Sequence, residues 1–455
     1  MLTKLNSLWV RLTYPFASCG RNLSLHYASE ISRTLATRVQ LGGDVSIGRH
    51  TWFHLGMEGE HAIKIAIEQG CRIGPRCTIS AKNSIHLGRN VVLASDVLLM
   101  DHNHAYEDVT TAIWRQGPTP GGRIKIGEGC RIGQGAAILC DKGVLVLGKN
   151  CEVASGAVVT RSFPADSVIS GNPARAARKP GTVAATGHAT GRSSEADDAT
   201  EAKHGGEIYA QDSQKPRENS PDTDSNRYSE EATSDEDLLS WISRLAGKIH
   251  IIWMARTFPF YSFGRGAWAH YSFAIARAAA PYISIGEHVG FGREAKLEVS
   301  AASGALPPVI TMEDRSGLQR RCVISARNHI HVMRDVIFGP SVLVTDHGDD
   351  LLEGRAAMQD DQMAGGTIRI EEECWIGFGS VIVCEQGELT IGRHSVVGAN
   401  SLITRSIPSY SVVAGNPARI VKQYDFSAGK WVLGCIRPNA GANSLNPVPV
   451  IAAPS

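Results

Sequence analysis

Two histidines sit where a histidine could act as a base. Asp101-His102 opens the stretch "DHNHAYEDVTTAIWRQGPTP" (101–120), and Asp346-His347 opens "DHGDDLLEGRAAMQDDQMA" (346–364). An imidazole that titrates near neutrality can accept the proton of a hydroxyl as that hydroxyl attacks an electrophile. The carboxylate beside each, Asp101 or Asp346, is a candidate for fixing the ring in one tautomer. A lone histidine is usually structural, but one that recurs at the mouth of a loop in two copies of a segment is a better base. In the first stretch His104, Tyr106 and Asp108 follow the candidate base. The second stretch has Asp349 in place of His104 and no matching tyrosine.

These loops interrupt a repeat that must position them. Residues 121–177 align without a gap on 365–421 at an offset of 244. The first copy carries aliphatic residues six apart at Ile126, Ile132 and Ile138, then at Leu147, Val153 and Val159. The second carries Ile370, Ile376 and Ile382, then Ile391, Val397 and Ile403. A short repeat of this kind marks a parallel β-helix, with one short strand and one bend per six residues and three such sides per coil. Gly or Asn then relieves the backbone at corners that need positive φ. Earlier rungs are legible at Val39, Leu41, Ile67, Ile73, Ile79, Ile85 and Leu87, and the second copy is more degraded between 310 and 335. The lead-in is duplicated too, since Trp9, Pro15 and His26-Tyr27 match Trp253, Pro259 and His270-Tyr271. Segments 1–12 and 238–256 have near-helical apolar spacing with Lys or Arg between. They read as helices across the open end of a coil, with peripheral contact at a membrane surface as the sharper alternative.

The isoleucine-glycine hexads, closed by "VVTRSFPADSVISGNPAR", resemble the hexapeptide-repeat acyltransferases, which include galactoside, maltose, capsule and exopolysaccharide O-acetyltransferases. The resemblance covers roughly 1–180 and 238–430. It implies an all-β chain of two left-handed parallel β-helix domains, an exception to the usual crossover hand. It implies an acetyl-CoA-dependent O-acyltransferase acting on a sugar hydroxyl in surface polysaccharide biosynthesis, with His102 and His347 as bases and direct transfer in a ternary complex. By the family's loop pattern His104, Tyr106 and Asp108 would shape the acceptor pocket, a pattern that the second loop has lost. By position, the donor would meet Gln134, Ser155, Thr160, Arg161 and Arg178 in the first half. In the second it would meet Phe378, Ala399, Thr404, Arg405 and Lys422, with Arg175, Arg178, Arg419 and Lys422 placed for the phosphates. Trp375 is the family's usual residue in "CWIG", and Arg131 replaces it in the first copy. Family members are trimers because each site lies between adjacent prisms. A trimer of chains forming two discs is therefore the expectation, and a ring mixing both halves is the alternative.

Composition narrows the rest. Residues 181–237 carry 14 acidic against 5 basic side chains and almost no large aliphatics, so they read as a disordered acidic linker, and 431–455 as a flexible tail. The remaining chain is mildly and diffusely basic, which suits phosphate-bearing ligands and not a dedicated nucleic-acid partner. The ten cysteines form no CxxC pair; Cys77, Cys130 and Cys140 recur as Cys322, Cys374 and Cys384, as small buried side chains would. No run of 18 apolar residues and no signal-peptide core occur, so a cytoplasmic location is expected, at most at the inner face of a membrane. No metal is expected. A zinc hydrolyase with His86, His102 and His104 as ligands is the minor alternative, and a second half that serves only as a scaffold is another.

Overall fold

A computed structural model supplies the fold and describes residues 2–33, 35–56, 63–177, 238–300, 306–348 and 365–434, with 238–243 as backbone only. The acidic linker, Arg178, Asp349 with the rest of the second loop to 364, and the tail beyond 434 lie outside the described residues.

Each half is a left-handed parallel β-helix, a prism with three sheets for its sides. The first half has sheets of six, eight and five strands and the second has sheets of six, nine and six, most strands being two to four residues long. Stacking the coils lines up the inward aliphatics. Leu41, Ile67, Leu87, Ile126 and Leu147 are register partners in one column, all buried. Ile285, Met312, Val332, Ile370 and Ile391 form the matching column of the second half. Each such side chain contributes about 1.5–3 kcal/mol by leaving water. The degraded stretch of the second half still completes its rungs, because Phe291 and Phe338 fill the interior and the inward positions stay apolar. Corners tolerate more than Gly and Asn: Arg76, Asp96, Arg321 and Ser341 all hold φ near +60°.

The recurring cysteines are structural. Cys130 and Cys374 donate their thiols to the carbonyls of Gly148 and Gly392 in the next coil, at 3.0 and 3.2 Å. Burial pushes Cys130 up to about 11 and Cys374 to about 12, so neither is a thiolate at neutral pH.

Helix α1 (Leu2–Thr13) and helix α2 (Leu238–Thr257) pack against the first coil of their own half, on Ser24–Leu25 and Trp268–Ala269. The far end differs from expectation. The second half does not fall into a tail at 431. Its last parallel strand turns back into Ala418–Asp425, which pairs with Lys430–Leu433 in an antiparallel hairpin. The Asp425 carboxylate accepts from the backbone of Ser427 and Ala428, and Gly429 takes φ +60°, which closes the turn.

The two prisms form one compact unit and run side by side in register. Glu30 beside the first coils bonds Arg293 and Arg320. Midway, the Arg321 guanidinium donates to the Arg76 carbonyl at 3.1 Å. Near the far end the Asn172 amide donates to the carbonyls of Ala399 and Asn400 at 2.9 and 3.0 Å. Leu98, Ala137 and Val158, on the outer face of the five-stranded sheet, pack on Phe378 and Ala399 at a corner of the second prism. Within this chain the halves are therefore neighbours.

Burial opposes the charge on Glu30, but Arg320 and then Arg293 outweigh it and hold the carboxyl below its usual value. A depressed folded value means the contribution is full at neutral pH and is lost as pH falls through that value. Glu30→Gln should lower the stability of the full chain by about 1–2 kcal/mol at neutral pH. It should also blunt the loss of melting temperature seen below about pH 4.3. Thermal melts of both proteins across that range check it, and equal pH profiles would show that this ion pair does not hold the halves together.

Candidate active site

The chain leaves the first prism just after the strand Leu98–Met100 and rejoins it at Arg123–Ile126, and the loop between begins with Asp101 and His102. Asp101 is fully buried. Its carboxylate accepts the backbone N–H groups of Lys82, Asn83 and Ser84 at 2.7, 2.8 and 2.7 Å. One of its oxygens also lies 3.1 Å from His102 Nδ1. An ionised carboxylate only accepts, so His102 Nδ1 is the donor and Nε2 keeps its lone pair. Asp101 thus fixes the coil beneath the loop and the tautomer of the ring with one group. The second half repeats this. Asp346 accepts from Arg327, Asn328 and His329 at 2.7, 2.8 and 2.9 Å and meets His347 Nδ1 at 2.9 Å. His347 also has Thr345 Oγ1 at 3.3 Å, and its side chain is 6% exposed against 11% for His102.

The rest of the first loop is tied down at its base and at its tip. Asn103 and Thr119 exchange two hydrogen bonds, and Ala105 donates to the Gly117 carbonyl. Asp108 is exposed and accepts from the backbone and hydroxyl of Thr110, so it braces the turn. The short 3-10 helix Ile113–Arg115 carries Trp114, whose Nε1 donates to Asp335 of the second half at 3.0 Å. The second half also supplies the facing wall. The His104 ring lies 3.9 Å from the Trp375 ring, centroid to centroid. The Tyr106 hydroxyl is 3.0 Å from Lys422 Nζ, and Trp431 donates to the Glu107 carbonyl at 3.2 Å. The site of the first half is therefore built from both halves.

Behind the loop stands a group that spacing did not reveal. His54, on the strand Trp52–Leu55, is held neutral by burial and then by repulsion from His102, which lower it to about 4. Arg320 of the second half lies over the Trp52 ring at 4.4 Å. His54 has Glu298 at the corresponding place 244 residues on, so recurrence could not flag it. Trp431 fell in the stretch read as tail. The alternation of the hairpin 418–433 and its "DFSAGK" turn were the available signal.

The hexapeptide-repeat model described for succinyl-transferases matches residues 64–99, 123–161 and 367–405, the coils on both sides of the first loop and the coil after the second. Over these coils the chain carries the hexapeptide repeat and is similar to the hexapeptide-repeat acyltransferases. Over 130 residues it is 27% identical to WbbJ of Escherichia coli, named for O-acetyl transfer in lipopolysaccharide biosynthesis. That match covers 27% of this chain and 65% of WbbJ. Over 117 residues it is 28% identical to the serine acetyltransferase of Haemophilus influenzae, covering 21% of this chain and 43% of that one. The chain thus spans less than two thirds of the length of each of these relatives. Among solved structures, AntD, an N-acyltransferase from Bacillus cereus in complex with dTDP and 3-hydroxybutyryl-CoA, aligns at 18% identity and a TM-score of 0.31. It covers 40% of this chain and 90% of its own. A GDP-perosamine N-acetyl transferase from Caulobacter crescentus aligns at 16% identity and a TM-score of 0.25, covering 35% and 57%.

The positions carried over from this family fall into two environments. Gln134, Ser155, Thr160 and Arg161 are exposed on the first prism, with the Arg161 guanidinium 5.3 Å from the Phe163 ring. Thr404 and Arg405 are likewise exposed. Phe378 and Ala399 are buried in the contact with Leu98, Ala137 and Val158, and Lys422 is engaged by Tyr106. His86 does not join the loop histidines. It lies on the six-stranded sheet and bonds Glu68 at 3.0 Å, which removes the third ligand from the zinc reading.

Burial, then His102 and His54, push His104 down to about 3. It is therefore neutral in the folded protein at physiological pH. Its contribution to stability is full above the unfolded value of about 6.5 and is lost as pH falls toward the folded one. The imidazole carbons of His104 should show no titration in NMR between about pH 5 and 8. His104→Phe, which keeps a ring against Trp375, should soften the fall in melting temperature over the same range. A titration midpoint for His104 near 6.5 would mean that the loop does not close on the second half.

Proposed function

We propose that this chain is an O-acyltransferase that moves an acetyl group from acetyl-CoA to a sugar hydroxyl, with His102 as general base. The observation that carries it is the Asp101-His102 pair at the root of a loop closed against a second prism. Asp101 leaves His102 Nε2 free to take a proton. The acceptor O–H gives its proton to Nε2 as its oxygen bonds to the thioester carbonyl carbon. The tetrahedral intermediate then expels the coenzyme A sulfur as the C–S bond breaks, and the imidazolium returns the proton to the thiolate. No covalent enzyme intermediate is required, and burial raises Cys77, Cys130, Cys322 and Cys374 far above neutrality, which makes them poor nucleophiles.

The acceptor class rests on WbbJ and on the wall of the site. Trp375, Tyr106 and Trp431 offer flat apolar surfaces, and Lys422 offers a charge, which together suit a sugar bearing phosphate. Assembly as a trimer and a place in polysaccharide biosynthesis belong to the same reading. His347 keeps its own carboxylate partner, which supports a second base in a second site, while the greater enclosure of its ring favours a scaffold role for this half.

Thiol release from acetyl-CoA, measured with a panel of nucleotide sugars, oligosaccharides and serine, tests the reaction and ranks the acceptors. His102→Ala should lower kcat by about 10²–10⁴-fold with little change in the KM for acetyl-CoA. His347→Ala should cost less. Trp375→Ala should raise the acceptor KM although it lies in the other half. If His102→Ala keeps the wild-type kcat on an accepted substrate, His102 is not the base.

A further inference from the structure

Helices α1 and α2 each bury one stripe and leave another uncovered. Ser7 and Val10 of α1, and Ile251 and Met254 of α2, are buried against the first coils. On the other side Leu5, Leu8 and Trp9 are 54, 55 and 47% exposed. At the corresponding places 244 residues on, Ile249, Ile252 and Trp253 are 60, 49 and 51% exposed. Leu2, Leu12 and Leu245 extend the two stripes. Scattered exposed aliphatics are ordinary, but a continuous stripe of Leu, Ile and Trp on a helix marks an interaction surface. The two halves differ in many other exposed positions, yet both keep large apolar groups at these three.

Charge and placement say what covers them. Neither helix has an acidic residue; Lys4 and Arg11 are exposed on α1, and Lys248 and Arg256 on α2. The prisms run in register, and each helix packs on the first coil of its own half, so both stripes lie at the same end of the molecule. Tyr27 and Tyr271 are exposed on those same first coils. Leu and Trp on one face, flanked by Lys and Arg without acidic residues, is the pattern of a helix lying in the plane of a bilayer interface. Among the described residues no helix is long and apolar enough to cross a membrane.

We propose that this end of the molecule docks on an anionic lipid surface, with α1 and α2 both lying in the interface and their basic side chains on the headgroups. The full chain should float with vesicles of phosphatidylcholine mixed with phosphatidylglycerol. It should bind them about 100-fold more tightly than phosphatidylcholine alone, with the difference shrinking as salt is raised. Bromine on the lipid tails should quench part of the tryptophan fluorescence, and Trp9→Tyr with Trp253→Tyr should remove that part. Leu5→Glu with Leu8→Glu, or Ile249→Glu with Ile252→Glu, should each lower binding at least about tenfold, because these side chains are exposed and the fold does not need them. Unchanged circular dichroism of each variant confirms that. The idea is overturned by failure of the wild-type chain to float with anionic vesicles. It is equally overturned if the glutamate variants instead dissolve an association between copies of the chain that wild type shows without lipid.

Discussion

Every coil of this molecule hydrogen-bonds to the one below, and that single constraint sets the rest. A strand of two to four residues has no stability alone, since nothing on it is paired and its one aliphatic is half wet. Stacked, it pairs on both sides, and Ile67, Leu87 and Ile126 meet in a dry column. Residues some twenty apart in the chain become neighbours at strand spacing. The same stacking lets one carboxylate, Asp101, reach the N–H groups of the coil beneath it and the imidazole beside it at once. His102 is placed by the ladder and not by the loop that follows it.

Much of this was legible in the chain. A six-residue aliphatic period marks a parallel β-helix, so the prisms and the interrupted coil follow from spacing, whereas the two Asp-His pairs stand out by recurrence and the hand of the coil rests on the family resemblance. The hairpin 418–433 was missed because its period is two, and a search tuned to six passes over it. His54 was missed because it belongs to an ordinary strand and does not recur. Residues that face outward from a coil, such as Leu98, Ala137 and Val158, follow no rule of their own coil, since what they touch belongs to another prism.

The contact between the prisms is not reciprocal. The sheet face of the first half meets a corner of the second, whereas a twofold arrangement would repeat that contact with the roles exchanged. The corner of the first half, Gln134 and Ser155, is exposed instead. Residues on the turns meet near their own counterparts: Arg321 meets Arg76, and the Asn400 amide donates to the Gly156 carbonyl at 3.2 Å.

A one-way contact gives the two copies different work, and their differences follow it. The second half supplies the corner and carries Trp375, Phe378 and Ala399 there, while the first has Arg131, Gln134 and Ser155 at the same places. The first half supplies the face and carries Glu30, while the second has Ala274. Arg320, which Glu30 needs, corresponds to Pro75 in the first half. Each of these side chains is present where its partner is across the contact and missing where no such partner faces it. Duplication has therefore done more than repeat a fold. The face of one copy and the corner of the other are complementary, and the candidate site around His102 is lined by both.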